Sequence, residues 1–249
     1  MITIKSPEEI AIMREGGNIL ANVLKEIEKM AKPGVATIDL DRAAEALILK
    51  HGAKPSFKGY HGFPHSVCIS INEEVVHCFP SSRVLKEGDV VCLDLGAFYK
   101  GYHTDMAETI AIGKTSYEAK RLILVTRKAL KRGIKKTKIG NTTGDIGNTV
   151  QRYIESQGFS VIRDLCGHGI GKDIHEDPAI PNFGKRGHGE KLLEGMVICI
   201  EPMVIAGKDY HIKKSKDGYG FSSKDNSLTA HFEHTIAITK KGPKVLTEI

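Results

Sequence analysis

Two stretches, 85–94 and 192–201, are near-copies of one pattern: Leu-Lys-Glu-Gly-Asp-Val-Val-Cys-Leu-Asp against Leu-Leu-Glu-Gly-Met-Val-Ile-Cys-Ile-Glu. Each is a Glu-Gly turn signal followed by an apolar, largely β-branched run, the pattern of a buried strand. Each run ends in a carboxylate, Asp94 or Glu201. An unpaired carboxylate at the end of a buried strand costs several kcal/mol or is neutralised. The same cost at two matching positions points to a cation between them, and so to a metal site at the centre of a duplicated fold.

The copying runs further. Lys32-x-Gly34-x-x-Thr37-x-Asp39-Leu40 recurs as Lys138-x-Gly140-x-x-Thr143-x-Asp145-Ile146, and each is followed by a Gly, Gly52 or Gly158. Both read as an N-cap Thr, a helix and a Gly stop. His61 precedes Asp94 by 33 residues, and His168, in Gly167-His168-Gly169, precedes Glu201 by 33. Thr109-Ile-Ala-Ile rhymes with Thr235-Ile-Ala-Ile. An earlier helix opens at Ser6-Pro7-Glu8-Glu9, which combines a cap, a Pro at the first helical position and a capping-box Glu. Ile10, Met13, Gly17, Leu20, Leu24 and Ile27 then give its apolar stripe. Ser116-Tyr117-Glu118 begins its counterpart, running towards Gly133.

The expected architecture is α+β: one catalytic domain over 1–249, with internal repeats over roughly 5–113 and 115–240. The strands of both halves form one curved antiparallel sheet with helices on its outer face. The carboxylates meet on the concave inner face, rimmed by the Gly- and Pro-rich stretch from Pro178 to Glu190.

Apolar content of 41% and charged content of 27% exclude a membrane-spanning or disordered chain. The N-terminus carries no apolar secretory core, and five scattered cysteines lack Cys-x-x-Cys spacing, so a reducing cytoplasm is expected. Cys92 and Cys199, inside the copied strands, read as small hydrophobes. Part of the net charge of +6 gathers at Lys128, Lys131, Arg132, Lys135, Lys136 and Lys138. It reads either as the solvated end of a helix or as a patch that meets an RNA-rich surface. No aromatic side chains interleave with it, so specific nucleic-acid binding is not expected.

Five residues converge under this topology: Asp94, Asp105 on the return strand, His168 in its Gly-His-Gly turn, Glu201, and Glu233 in His231-Phe-Glu233-His234-Thr. Alignment of the Thr-Ile-Ala-Ile segments makes His231 the repeat mate of Asp105. Glu233 lies two residues on, hence on the same strand face. Glu108 and His234 are expected to face the other side. One imidazole and four carboxylates form a hard, oxygen-rich set that suits two divalent ions sharing carboxylates.

Asn72-Glu-Glu-Val-Val-His77, the Asp94/Asp105 pair, Gly167-His168-Gly-Ile-Gly171, His175-Glu-Asp-Pro178, Ile200-Glu201-Pro-Met203 and Phe232-Glu233-His-Thr235 together resemble the type I methionine aminopeptidases, over nearly the whole chain. The resemblance implies the pita-bread fold and removal of initiator methionine from nascent chains with a small second residue. It implies Asp94, Asp105, His168, Glu201 and Glu233 as ligands of two divalent ions (Co, Mn, Fe or Zn), with Asp105 and Glu233 bridging. It further implies Glu201 as proton shuttle, His175 on the oxyanion and His77 near the scissile nitrogen. By motif alignment Tyr60, Phe63, Cys68, Ile174 and Tyr219 line the methionine pocket. Tyr219 stands where a Trp is usual, Ile174 for an aromatic and Phe63 for a Tyr, which puts pocket volume in question. Cys78 replaces a Gly after His77 and is expected to be exposed and thiol-sensitive. The implied partners are nascent N-termini; the basic patch adds the ribosome surface as an expected contact, and the chain is expected to act as a monomer. A proline-specific peptidase and a non-catalytic binder share the fold. The first usually carries a large N-terminal domain and the second typically loses ligands, whereas Ser6 already opens the first helix here and all five ligands are present.

Overall fold

A computed structural model describes residues 1–249. The first half contains helices α1 (Pro7–Met30) and α2 (Thr37–Lys50), then strands β1 (Lys54–Pro55), β2 (Val67–Ile71), β3 (Glu74–Val76), β4 (Val90–Tyr99) and β5 (Tyr102–Ala111). The second half opens with α3 (Tyr117–Ile134) and α4 (Thr143–Ser156), followed by β6 (Ser160–Val161), β7 (Cys166–Gly169), β8 (Glu176–Pro181) and β9 (Val197–Ile200). It closes with β10 (Met203–Ile205), β11 (Ile212–Lys214), β12 (Phe221–Ser223), β13 (Thr229–His231), β14 (Glu233–Thr239) and β15 (Gly242–Val245). A nine-stranded antiparallel sheet runs β1-β4-β5-β14-β9-β7-β8, with β2 also on β4 and β15 on β14. The β5–β14 pairing joins the two halves. The single sheet expected is supplemented by two three-stranded sheets of short strands, β13-β10-β6 and β11-β12-β3.

Each half has its own core. Leu20, Leu24 and Ile27 of α1 and Leu40 and Ile48 of α2 pack on Val91, Leu93, Leu95 and Ala97 of β4. Leu122, Val125, Ala129, Ile146, Val150 and Ile154 of α3 and α4 pack on Ile198, Ile200 and Ile236. β4 is buried on both faces, which is why its sequence does not alternate. Its odd residues meet the helices, and Cys92 and Asp94 point the other way. α1 also passes the C-terminal segment so closely that a Cβ on Gly17 would lie 2.2 Å from the Leu246 carbonyl oxygen.

The start of α1 is as expected, with a Ser6–Glu9 capping box. Ser116 caps α3, and the two caps read from the Thr repeat sit one residue earlier than it implied. Thr142, not Thr143, caps α4, because only Thr142 has a reciprocal partner three residues on, Asp145. Ala36, not Thr37, precedes α2 and offers no side-chain cap. The Gly stops stand, with Gly52 and Gly158 at positive φ (75° and 82°). The stretch from Pro178 to Glu190 begins as strand, because β8 pairs with β7. Asn182 keeps it at the rim of the site, its Nδ2 donating to the Glu201 carbonyl at 2.9 Å, and the rest lies over the start of α4, where the Phe183 and His188 carbonyls crowd Gly147 and Gly144.

Candidate metal centre

The register builds the site. On β5, Ala107 is flanked by Asp94 of β4 on one side and Glu233 of β14 on the other. Next to β14, Ile200 stands opposite His234, so Glu201 follows directly beside Glu233. Asp105, two residues from Ala107, shares its face. The small Ala107 leaves the centre of this carboxylate row open. Asp94 does not end its strand as expected. It sits in the middle of β4, because Leu95–Tyr99 continues the pairing with β5.

His168 enters from β7. Its segment is a bulged strand rather than the expected turn, with the register shifting between Gly167 and Gly169. Gly167 is required there, because a Cβ would fall 2.3 Å from the Cys199 carbonyl oxygen. His168 Nδ1 donates to the Gly169 carbonyl at 2.8 Å, which leaves Nε2 bare. That nitrogen lies 3.6 Å from Glu201 Oε1 and 4.0 Å from Glu233 Oε1. Asp94, Asp105 and Glu233 bring ligand atoms within 4.8 Å of one another, as do Glu201, His231 and Glu233. His168, Cys199 and Glu233 form a third such group, so Glu233 belongs to all three. The structure thus brings together all five expected ligands. Two neighbours were not expected, the Cys199 thiol and the His231 ring.

The electrostatics require a cation. Asp94, Asp105 and Glu233 are buried (6%, 4% and 3% exposed), and no Lys or Arg pairs with any of the four carboxylates. Burial pushes Asp94 up to about 7. Burial and neighbouring carboxylates push Asp105, Glu201 and Glu233 well above the usual range. Burial pulls His168 down to about 3, so its ring is neutral. Asp94 Oδ1 and Glu233 Oε1 are buried with no hydrogen-bond partner. Orphaned anionic oxygens of this kind, beside a bare imidazole nitrogen, fit divalent metal. As expected, Glu108 and His234 turn away, to Arg127 of α3 and to Thr247.

Beside the cluster lies a cavity of about 270 Å³. All five expected pocket residues, Tyr60, Phe63, Cys68, Ile174 and Tyr219, line it, together with His77 and His175. Phe57, not expected, completes an aromatic wall in which Phe63 meets Phe57 and Tyr219 edge-on at 6.4 and 5.9 Å. His175 contacts His168 edge-on at 4.4 Å between ring centres, and its Nδ1 lies 2.9 Å from the Tyr60 hydroxyl. His61, the repeat counterpart of His168, sits on the same wall, where its carbonyl accepts from the Tyr219 hydroxyl at 3.1 Å. Adjoining it, a wider groove of about 850 Å³ shares His77, His168, His175 and Glu201. It runs out past Glu176 to the N-terminal residues 1–5. Cys78 is not exposed as expected. It is buried under Phe221, whose carbonyl its thiol faces at 3.8 Å, and burial pushes that thiol up to about 12. Only Cys166 is an exposed thiol.

A curved antiparallel sheet with buried carboxylates and the rings of His168 and His231 at its centre is the frame of a metallohydrolase. The chain belongs to metallopeptidase family M24, whose family model matches residues 11–240. It is similar to the methionine aminopeptidase of Clostridium acetobutylicum, 52% identical over 99% of both chains. Among solved structures it is similar to the methionine aminopeptidase of Thermotoga maritima, with a TM-score of 0.98 and 44% identity, each chain fully covered. It also resembles a prolidase from Pyrococcus furiosus at a TM-score of 0.80 and 26% identity, covering 99% of this chain and 65% of that one. The fold is the pita-bread fold these structures share. No helix is long and apolar enough to cross a membrane.

Proposed function

We infer that this chain is a metal-dependent aminopeptidase that removes N-terminal methionine from peptides and nascent proteins. One observation carries the reading. The buried carboxylates and His168 converge where a cavity walled by Phe57, Tyr60, Phe63 and Tyr219 meets a wider groove. The cavity suits a single flexible thioether side chain, and the groove suits the peptide that follows it.

Asp94, Asp105, His168, Glu201 and Glu233 would hold two divalent ions, with Asp105 and Glu233 shared. An oxygen-rich set with one nitrogen suits Mn, Fe or Co better than a structural zinc site. Such ions supply a water activated at neutral pH and a polarised scissile carbonyl. Around that chemistry the side chains divide the work. Tyr60, Phe63, Cys68, Ile174 and Tyr219 hold the methionine side chain. The substrate's free amine lies at the carboxylate cluster, so the site accepts one residue before the scissile bond. Glu201 takes the proton of the attacking water and delivers it to the leaving amine. The Tyr60 hydroxyl, donating to His175 Nδ1, leaves the ring proton on Nε2, where His175 donates to the developing oxyanion. His77, at the rim of both cavities, bonds near the scissile amide nitrogen.

The test is hydrolysis of Met-Ala-Ser against Gly-Pro by protein loaded with Mn or Co. Release of methionine alone supports the reading, and cleavage of Gly-Pro alone replaces it with a proline-specific peptidase. The expected site of action is the cytoplasm, where nascent N-termini emerge. Four of the five cysteines are buried free thiols, in keeping with a reducing compartment. Lys128, Lys131, Arg132 and Lys135, exposed at the C-terminal end of α3, form the surface for ribosome docking. Co-sedimentation with ribosomes that survives charge reversal at Lys131, Arg132 and Lys135 would remove that role.

A further inference from the structure

Two imidazoles, not one, face the Glu201–Glu233 pair. His168 Nε2 lies 3.6 and 4.0 Å from Oε1 of these residues. His231 Nε2 approaches the other oxygen of each, at 3.8 Å from Glu201 Oε2 and 3.7 Å from Glu233 Oε2. His231 is 2% exposed, and its Nε2 has no hydrogen-bond partner. No step of the proposed reaction uses it. It is also the repeat mate of Asp105, the position at which the duplication would place a ligand.

The two rings differ in what holds their Nδ1. His168 Nδ1 faces a carbonyl, so it carries the hydrogen and Nε2 offers a lone pair. His231 Nδ1 lies 3.7 Å from the Sγ of Cys92, which is also 3.8 Å from the His231 carbonyl. That carbonyl already accepts from Thr109 Oγ1 at 2.6 Å. Nδ1, which has no other partner and is the nearer of the two, accepts the buried thiol hydrogen, and accepting there places the ring proton on Nε2. A bare Nε2 against two carboxylate oxygens would be repulsive, whereas an N–H there is complementary.

We propose that His231 is a positioning residue of the metal centre: its Nε2–H donates to the outer oxygens of Glu201 and Glu233 and fixes how these carboxylates present themselves to metal. The separations of 3.7 and 3.8 Å place Nε2 just beyond hydrogen-bond reach, so a small side-chain shift brings it onto either oxygen. Partners of this kind, behind the direct ligands, typically set metal affinity by about 10–100-fold.

The proposal rests on the metal-centre reading, and the experiment separates the two. Mn(II) binding to the full chain is measured by equilibrium dialysis for wild type, His231→Leu, His231→Gln and Asp105→Asn. His231→Leu removes the donor and should weaken binding about 10–100-fold. His231→Gln keeps an N–H and should stay within about threefold of wild type, since one donor replaces another. If His231→Leu does not fold by thermal melt, His231→Met carries the comparison. Wild-type affinity in the apolar variant, or a Gln variant as weak as it, overturns the role of His231. Wild-type affinity in Asp105→Asn overturns the metal centre itself. Pulsed EPR of Mn(II)-loaded wild type should show one coordinated imidazole nitrogen; two would make His231 a direct ligand and overturn the proposal.

Discussion

Lys5 and Glu176 form an ion pair at 2.5 Å whose side chains are 5% and 7% exposed, and it fastens the segment carrying Ile174 and His175 to the N-terminal strap. The strap is itself anchored where the Lys5 amide donates to the Gly195 carbonyl at 2.8 Å. Lys5→Met leaves Glu176 buried with the Thr3 hydroxyl and the Asp173 amide as remaining donors. Breaking a buried pair from one side costs about 3–5 kcal/mol, and the surviving donors place this case near 3. For a chain of this size that lowers Tm by roughly 6–12 °C. Lys5→Met/Glu176→Met removes both charges and should recover most of the loss. Misplacing His175 should also lower kcat/KM by about tenfold to a hundredfold. Burial raises the Glu176 pKa, but the Lys5 and Thr3 contacts outweigh it and hold it below its ordinary 4.5. A depressed folded-state value stabilises above 4.5 and is lost as pH falls through that lower value, so the Tm gap to Lys5→Met should narrow below pH 4.5. Thermal melts of the three proteins across pH check the stability changes, and initial rates on Met-Ala-Ser check kcat/KM. A Lys5→Met shift under about 2 °C, or a double variant no better than the single, would refute the reasoning.

Gly167→Ala would push β7 from β9, since its Cβ falls 2.3 Å from the Cys199 carbonyl oxygen and 3.3 Å from Glu201 Cγ. It should cost about 1–3 kcal/mol in a melt and weaken Mn(II) binding in dialysis although no ligand is replaced. Thr142→Ala should destabilise by about 1 kcal/mol through loss of the α4 cap, and Ala36→Ser should gain about half that at the uncapped start of α2, both read by denaturant titration. A thiol reagent should titrate one cysteine rapidly in the native protein, Cys166, and all five after denaturation. Rapid native labelling of Cys78 would contradict its burial.

The duplication made the carboxylate row legible, because matching strands carry matching residues whatever surrounds them. Local boundaries were less legible. The apolar run before Asp94 stops at a charge, but Leu95–Tyr99 goes on pairing because the charge faces the site and the neighbouring residues face α1 and α2. β8 was hidden by Pro178 and Pro181, which an edge strand tolerates. The cap shifted by one residue because adjacent threonines differ only in whether Asp145 can answer them. Burial of Cys78 depends on Phe221 and Gly220, more than a hundred residues away, and no local pattern encodes that contact. His231 was visible as the mate of Asp105, but its unpartnered nitrogen only emerged from the packing.

The central claim is that the buried carboxylates exist to hold the metal that removes methionine. Bound Mn(II) and methionine release from Met-Ala-Ser, measured together on wild type and Asp105→Asn, test it most directly. The account predicts two Mn(II) per wild-type chain with turnover, and loss of both binding and nearly all turnover in Asp105→Asn. A wild-type protein that binds Mn(II) but leaves Met-Ala-Ser intact, or an Asp105→Asn variant with near-normal rates, would contradict it.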